Sequence, residues 1–177
     1  MSMDTEIRDR IIQRLENNGV TVKTGTTVEE IKKDGSRIAV HAGGEVIVAD
    51  LVVLSVGIAP NTDFLKGSEL EMTDKGAIIV NEKSETNMPD VYSGGDCATV
   101  KHLVTGKNVY MPLGPTANKQ GRVAGLQAAG VTTERFPGIV GTQLVKVFDL
   151  EVGKTGLSDD DAAAQGIPAA SEGNTWK

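Results

Sequence analysis

The chain is short of cysteine, of aromatic residues, of long apolar runs and of positive charge, and each shortage excludes a class of protein. Cys97 is the single cysteine among 177 residues, so an internal disulfide framework and a zinc site built from several thiolates are both excluded. One free thiol fits a reducing compartment, and the expected localisation is cytoplasmic. An N-terminus that carries charge within its first ten residues does not read as a secretory signal. The most apolar stretch, Leu51–Leu54, lies between Asp50 and Ser55, far short of the roughly 20 apolar residues that a membrane span requires. Lys and Arg number 18 against 24 Asp and Glu, a net charge of −6. With no basic stripe, the chain has no electrostatic footprint for nucleic acid or an anionic membrane, and neither is expected as a partner. His41 and His102 stand far apart with no metal-ligand spacing around them, and both read as solvated loop residues.

Aromatic residues number six: one Trp, two Tyr and three Phe. The core must therefore be aliphatic. Glycine is abundant instead, at 21 residues of 177, above the usual share of about 7%. Aliphatic segments punctuated by glycine suit an α/β protein, in which glycine lets backbone approach backbone or ligand.

Along the chain, Ile7, Ile11, Ile12 and Leu15 share one helical face. Asp4 or Thr5 can cap this helix, and Asn17-Asn18-Gly19 can stop it. Val20–Lys23 alternates like a strand. Thr27–Lys33, Arg37–His41 and Glu45–Val48, separated by Asp34-Gly35 and Gly43-Gly44, predict a β-meander. Leu51–Gly57 reads as a strand buried on both faces, the kind found in parallel sheets. A short helix is expected over Thr62–Lys66 and strands over Ala77–Val80, Val91–Ser93 and Gly141–Leu150. Thr116–Ala129 predicts a helix with Pro115 at its start and Gly130 at its stop. Ser158 caps a short helix, Asp159–Gln165, with three acids at its positive end. A last strand is expected from Ile167. The predicted fold class is α/β: a partial doubly wound sheet with a β-meander, followed by the opening of a further α+β domain. A doubly wound sheet ordinarily opens with a strand and a glycine-rich phosphate loop. This chain opens with a helix and closes where another sheet begins, so it reads as an internal piece.

The most specific stretch is Thr86-Asn87-Met88-Pro89-Asp90-Val91-Tyr92-Ser93-Gly94-Gly95-Asp96. A strand ends in two glycines with an acid just past its carboxyl end, where open α/β sheets bind ligands. The carboxylate can accept hydrogen bonds from ligand hydroxyls; the alternative is a strand-to-loop turn with a solvated Asp. This run resembles the second flavin-binding motif of the pyridine nucleotide–disulfide oxidoreductases, Thr-x5-Tyr-small-x-Gly-Asp. Two further stretches resemble that family in the same order. Leu51–Gly57 with Ile58-Ala59-Pro60-Asn61 is similar to the element that closes the nucleotide domain, and Pro112-Leu113-Gly114-Pro115-Thr116-Ala117-Asn118-Lys119-Gln120-Gly121-Arg122 to the helix that aims its N-terminus at the flavin ring. Val145–Leu150 and Gly153–Leu157 resemble the start of the family's dimer-interface domain. The subgroup resembled is the single-cysteine one of coenzyme A–disulfide reductases, NADH oxidases and NADH peroxidases.

The resemblance implies that Asp96 binds the ribityl chain of FAD, with Gly95 beside it. It also implies that Gly57 lies near the NAD(P)H path and that Pro115, Thr116 and Ala117 present a helix N-terminus to the flavin. Free N–H groups and a positive dipole end suit the negative charge of a reduced flavin. It implies three segments: residues 1–85 from an NAD(P)H-binding domain, 86–134 from the returning part of an FAD-binding domain, and 135–177 from a dimerisation domain. Both glycine fingerprints and the redox cysteine of the family are absent, and Cys97, next to the motif acid, reads as a small buried apolar residue. No catalytic residue and no metal ligand are assigned. The complete protein is expected to use FAD and NAD(P)H to reduce a disulfide, oxygen or peroxide, this chain alone to retain neither cofactor, and its unpaired strand edges to drive a homodimer or higher assembly. The rival reading is a non-catalytic α/β module for nucleotide binding or interaction.

Overall fold

The computed structural model describes residues 3–168. Their backbone divides into two compact units: Asp9–Gly57 forms one, and the remaining described residues form the other. Helix α1 (Thr5–Asn17) begins where the Asp4 carbonyl accepts from Ile7 and Arg8 N–H at 3.1 and 3.0 Å. It ends at Gly19, φ +80°, where Gly19 N–H and Val20 N–H return to the Glu16 and Leu15 carbonyls. That backward pairing is the usual way a left-handed residue closes a helix.

The first unit carries the expected meander: β1 (Val28–Asp34), β2 (Arg37–Ala42) and β3 (Glu45–Ala49), in antiparallel order β1-β2-β3. Ala42 faces Glu45 across Gly43-Gly44, whose φ values of +58° and +79° are both left-handed. That is the two-residue hairpin turn matching the natural strand twist. The buried positions, Ala39 and Ala42, lie on the central strand β2. Two expectations fail in this unit. Val20–Lys23 forms no strand, and Leu51–Gly57 is not a buried strand. Leu51, Val53, Leu54 and Val56 are 70–92% exposed. A strand buried on both faces needs a paired neighbour on each side, and no described residue pairs with this one.

The second unit is built round Ile78, Val80 and Ala98, with Leu65, Met72 and Cys97 packed against them. Cys97, expected to be buried, is half-buried there, with its Sγ 3.7 Å from the Gly94 carbonyl. A 3-10 turn (Asp63–Leu65) replaces the expected short helix, and Thr62 before it, itself buried, donates its hydroxyl to the Gly76 carbonyl at 2.6 Å. Ala77–Val80 forms no extended ladder. Its two bridges centre on Ile78, antiparallel to Met72 and parallel to Ala98, and the Ala77 carbonyl and Ile79 N–H add bonds to Thr73 N–H and the Glu71 carbonyl. Val91–Ser93 makes a single bridge, Tyr92 to Glu85.

A small hairpin, β4 (Val100–Lys101) with β5 (Asn108–Val109), has no counterpart in the sequence reading. It brings His102 to 3% exposure, against the expectation of a solvated loop residue; His41 sits half-buried on β2. Helix α2 spans Gly114–Ala128. The expected single strand over Gly141–Leu150 is instead a hairpin, β6 (Gln143–Val147) with β7 (Leu150–Lys154). Its tip is Phe148-Asp149, with Phe148 at φ +56°, a reversal that carries no glycine to announce it. Helix α3 (Asp159–Ala164) is capped by Ser158 as expected, and Gly166 follows at φ +65°. The strand expected from Ile167 lies largely outside the described residues.

The protein is thus mixed α/β. Among the described residues its sheets are antiparallel, with parallel pairing confined to the Ile78–Ala98 and His102–Ile139 bridges. Within the second unit Ala77–Val80 bonds to residues 97–99, Ile78 N–H to the Cys97 carbonyl at 2.9 Å and Thr99 N–H to the Ile78 carbonyl at 2.8 Å.

Candidate functional site

The two glycines before Asp96 are required for different reasons. A Cβ on Gly94 would stand 3.0 Å from the backbone carbon of Gln120 in α2, so only glycine lets the loop lie this close to the helix. Gly95 has room, since a Cβ there would meet Ala117 Cβ at 3.9 Å, but its φ of +91° is one that L side chains rarely adopt. Ala98 N–H closes the turn on the Gly95 carbonyl at 3.1 Å. Asp96 sits at the exposed tip, and its carboxylate has no hydrogen-bond or ion-pair partner among the described residues.

Gln120 fastens this loop to α2. It is 3% exposed, and each end of its amide reaches the loop. Oε1 accepts from Gly95 N–H at 3.3 Å, and Nε2 donates to the Thr99 carbonyl at 2.7 Å. Its backbone carbonyl accepts the buried Ser84 hydroxyl at 3.3 Å. Asp96 therefore lies between two points tied to a single side chain. From the other side Tyr110, just after β5, donates its hydroxyl to the Asp96 carbonyl at 2.9 Å. Burial raises the Tyr110 pKa, and the negative charge of Asp96 raises it further.

The start of α2 is open. Leu113 precedes it in an extended conformation, no side chain caps it, and Pro115 occupies the first turn. Gly114 and Pro115 are exposed and Thr116 is buried. Ala117 N–H bonds to the Leu113 carbonyl at 2.9 Å. A cavity of about 270 Å³ adjoins this end, lined by Leu113, Pro115, Thr116, Lys119 and Phe136 among others. Of the residues singled out by sequence, Gly95, Asp96, Pro115, Thr116 and Ala117 belong to the same unit, with the Cβ position of Gly95 directed at Ala117. Gly57 belongs to the other unit, where it is exposed with φ +104° and open space around its Cα.

Comparison with known proteins decides the family. The family described as pyridine nucleotide-disulphide oxidoreductase matches residues 1–121. The chain belongs to that family. The NAD(P)H sulfur oxidoreductase (CoA-dependent) of Pyrococcus furiosus is 38% identical over 164 residues, which is 93% of this chain and 35% of that protein. The coenzyme A disulfide reductase of Staphylococcus epidermidis is 29% identical over 159 residues, 90% of this chain and 36% of that protein. A solved FAD-dependent pyridine nucleotide-disulphide oxidoreductase from Desulfovibrio vulgaris superposes with a TM-score of 0.84 at 37% identity, covering 93% of this chain and 41% of its own. The chain thus spans about a third of the length of the curated relatives it matches.

Sequence reasoning missed Gln120 and Tyr110. Gln120 lies within the Pro112–Arg122 run, where a glutamine in a helix reads as solvated surface. The signal that could have found it is its place on one helical stripe with Thr116, Val123 and Gln127, all buried. Tyr110 gives no such signal, because the two-residue strands that deliver it are too short for any periodicity.

Proposed function

We propose that this chain is a segment of a longer FAD- and NAD(P)H-dependent oxidoreductase that passes hydride from NAD(P)H through FAD to a disulfide, persulfide, oxygen or peroxide acceptor. The observation that carries the reading is the unpartnered Asp96 carboxylate, on a glycine turn fastened to the helix whose uncapped N-terminus is exposed. These residues fit a flavin nucleotide: a free acceptor for ribityl hydroxyls, a left-handed Gly95 beside it with room where its Cβ would be, and N–H groups without a cap. FAD, when bound, supplies the two-electron chemistry. Asp96 would accept hydrogen bonds from ribityl hydroxyls, and Gly95 would let the chain pass close. The first turn of α2, with Pro115, Thr116 and Ala117, would set a positive dipole end against the flavin's negative pyrimidine edge. Gly57 would offer open backbone to the nicotinamide nucleotide.

In this reading residues 1–85 belong to a nucleotide domain, 86–134 to an FAD domain and 135–177 to a dimerisation domain. The doubly wound sheet is completed by chain outside this segment. The relatives' names support the acceptor class: NAD(P)H sulfur oxidoreductase, coenzyme A disulfide reductase and NADH oxidase. A single thiol supports a cytoplasmic setting, and the exposed Leu51–Val56 run supports self-association of this chain when it stands alone. No helix among the described residues is long and apolar enough to cross a membrane.

The test is to express the whole reading frame that contains this chain. A yellow protein that oxidises NAD(P)H is expected, with Asp96→Ala weakening FAD about 10- to 100-fold, the value of a hydrogen bond to a charged group. A colourless product, or FAD affinity indifferent to Asp96→Ala, would overturn the reading. A reading frame that begins and ends with this chain would favour the non-catalytic module.

A further inference from the structure

Asp96 stands at the tip of a turn whose flanks are held, Gly95 by Ala98 N–H and the Cys97 carbonyl by Ile78 N–H. Gly94 and Gly95 precede it, and Gln120 fixes the loop at Gly95 and Thr99, on either side of the acid. Asp96 itself is held, among the described residues, by one hydrogen bond: Tyr110 Oη donates to its main-chain carbonyl at 2.9 Å. Nothing holds the carboxylate, so its direction is set by the peptide from which it springs. We propose that Tyr110 is a positioning residue for flavin binding, its hydroxyl fixing the Asp96–Cys97 peptide and so aiming the Asp96 carboxylate.

This inference rests on the flavin reading above. Tyr110 suits the task because a phenol is a rigid tether with two rotatable bonds, costing little entropy to hold in place. It enters from a different element than Gln120 does, so the loop is gripped from two directions. Burial and the nearby Asp96 charge favour its protonated form, which keeps the hydroxyl a donor across the neutral range. It touches no reacting atom and is not a catalytic residue. Its effect must pass through Asp96, and that dependence is measurable.

The experiment is a double-mutant cycle on FAD affinity in the complete gene product, with wild type, Tyr110→Phe, Asp96→Ala and the double variant. Tyr110→Phe keeps the ring and removes one neutral hydrogen bond, so FAD should bind about 3- to 10-fold more weakly, while the apoprotein melts only a few degrees lower, about what one such bond is worth. In the Asp96→Ala background the same change should cost nothing, since no carboxylate is left to aim. A merely structural tyrosine would weaken both backgrounds equally. In this chain alone, amide hydrogen exchange at residues 95–97 should quicken in Tyr110→Phe. Additive effects, an inert Tyr110→Phe beside a costly Asp96→Ala, or unchanged exchange rates would overturn the inference and leave the flavin reading standing. An Asp96→Ala variant with unaltered FAD affinity would overturn both.

Discussion

Replacing Gly94 by alanine should test the seam between the Asp96 loop and α2 more sharply than any other single change. The added Cβ would sit 3.0 Å from the Gln120 backbone carbon and 3.1 Å from its Cβ and carbonyl oxygen. These atoms belong to the body of a helix and cannot swing aside as a side-chain tip would. The loop must retreat by a few tenths of an ångström, which stretches the Gly95 N–Gln120 Oε1 bond, already long at 3.3 Å. Overpacking of this kind costs about 1–3 kcal/mol, and a weakened neutral hydrogen bond adds roughly 0.5–1.5 kcal/mol. The expected loss is therefore about 2–4 kcal/mol, read from the urea midpoint with far-UV circular dichroism at unchanged slope. Gly95 supplies the control. Its problem is φ +91° rather than space, so Gly95→Ala should cost about 1–2 kcal/mol, and Gly95→Asn less, because asparagine tolerates left-handed backbone. Gly94→Asn should be no better than Gly94→Ala. If Gly94→Ala stays within about 0.5 kcal/mol of wild type, the range of ordinary surface changes, the loop does not bear on the helix as described.

Gly138→Ala should be worse than Gly94→Ala in the same assay. A Cβ there would lie 2.3 Å from the Lys101 carbonyl oxygen at φ +134°, disrupting the paired bonds that join Ile139 to Lys101 and Leu103. Acid stability should depend on the α3 cap. The Ser158 hydroxyl bond holds the Asp161 carboxyl below the usual carboxylate range, so its contribution is present at neutral pH and lost as pH falls through that lowered value. Ser158→Ala should cost about 0.5–2 kcal/mol at pH 7 and less at pH 2, as urea midpoints at the two pH values would reveal; an equal loss at both would refute the linkage. This chain alone should purify colourless. One charged hydrogen bond gives about 1.5–3 kcal/mol and a helix terminus roughly 0.3–1 kcal/mol, against an association cost of about 4–15 kcal/mol, so micromolar FAD affinity by calorimetry would contradict this. Light scattering should report a dimer or larger, and Val53→Lys with Val56→Lys should lower the mass, since those side chains are 80% and 92% exposed; a monomer across the micromolar range would refute it.

The elements that could be read from sequence are those decided within a few residues. Gly43-Gly44 forces its hairpin because both residues can be left-handed, and Ser158 caps α3 by bonding Asp161 N–H three residues on. The Thr86–Asp96 motif and the α2 start were legible for the same reason, being fixed local chemistry. Leu51–Val56 was not, because an apolar run states what its side chains prefer, not whether strands exist to cover them. The Phe148-Asp149 tip was not, because a left-handed phenylalanine leaves no mark in the sequence.

The buried stripe of α2 explains why the anchoring of the site stayed hidden. Thr116, Gln120, Val123 and Gln127 recur at intervals of four, three and four residues, and three of the four are polar. A hydrophobic count therefore sees a weak helix. Yet Gln120 holds Gly95 and Thr99, and Gln127 Nε2 donates to the Glu134 carbonyl at 2.8 Å. An apolar face grips by area and tolerates small slides. A face that grips by directed bonds to backbone does not, because each displaced bond leaves a buried polar group without its partner. Such a helix carries the Asp96 loop in a fixed register with its own open N-terminus, so the free carboxylate and the positive helix end keep their spacing without a ligand to enforce it.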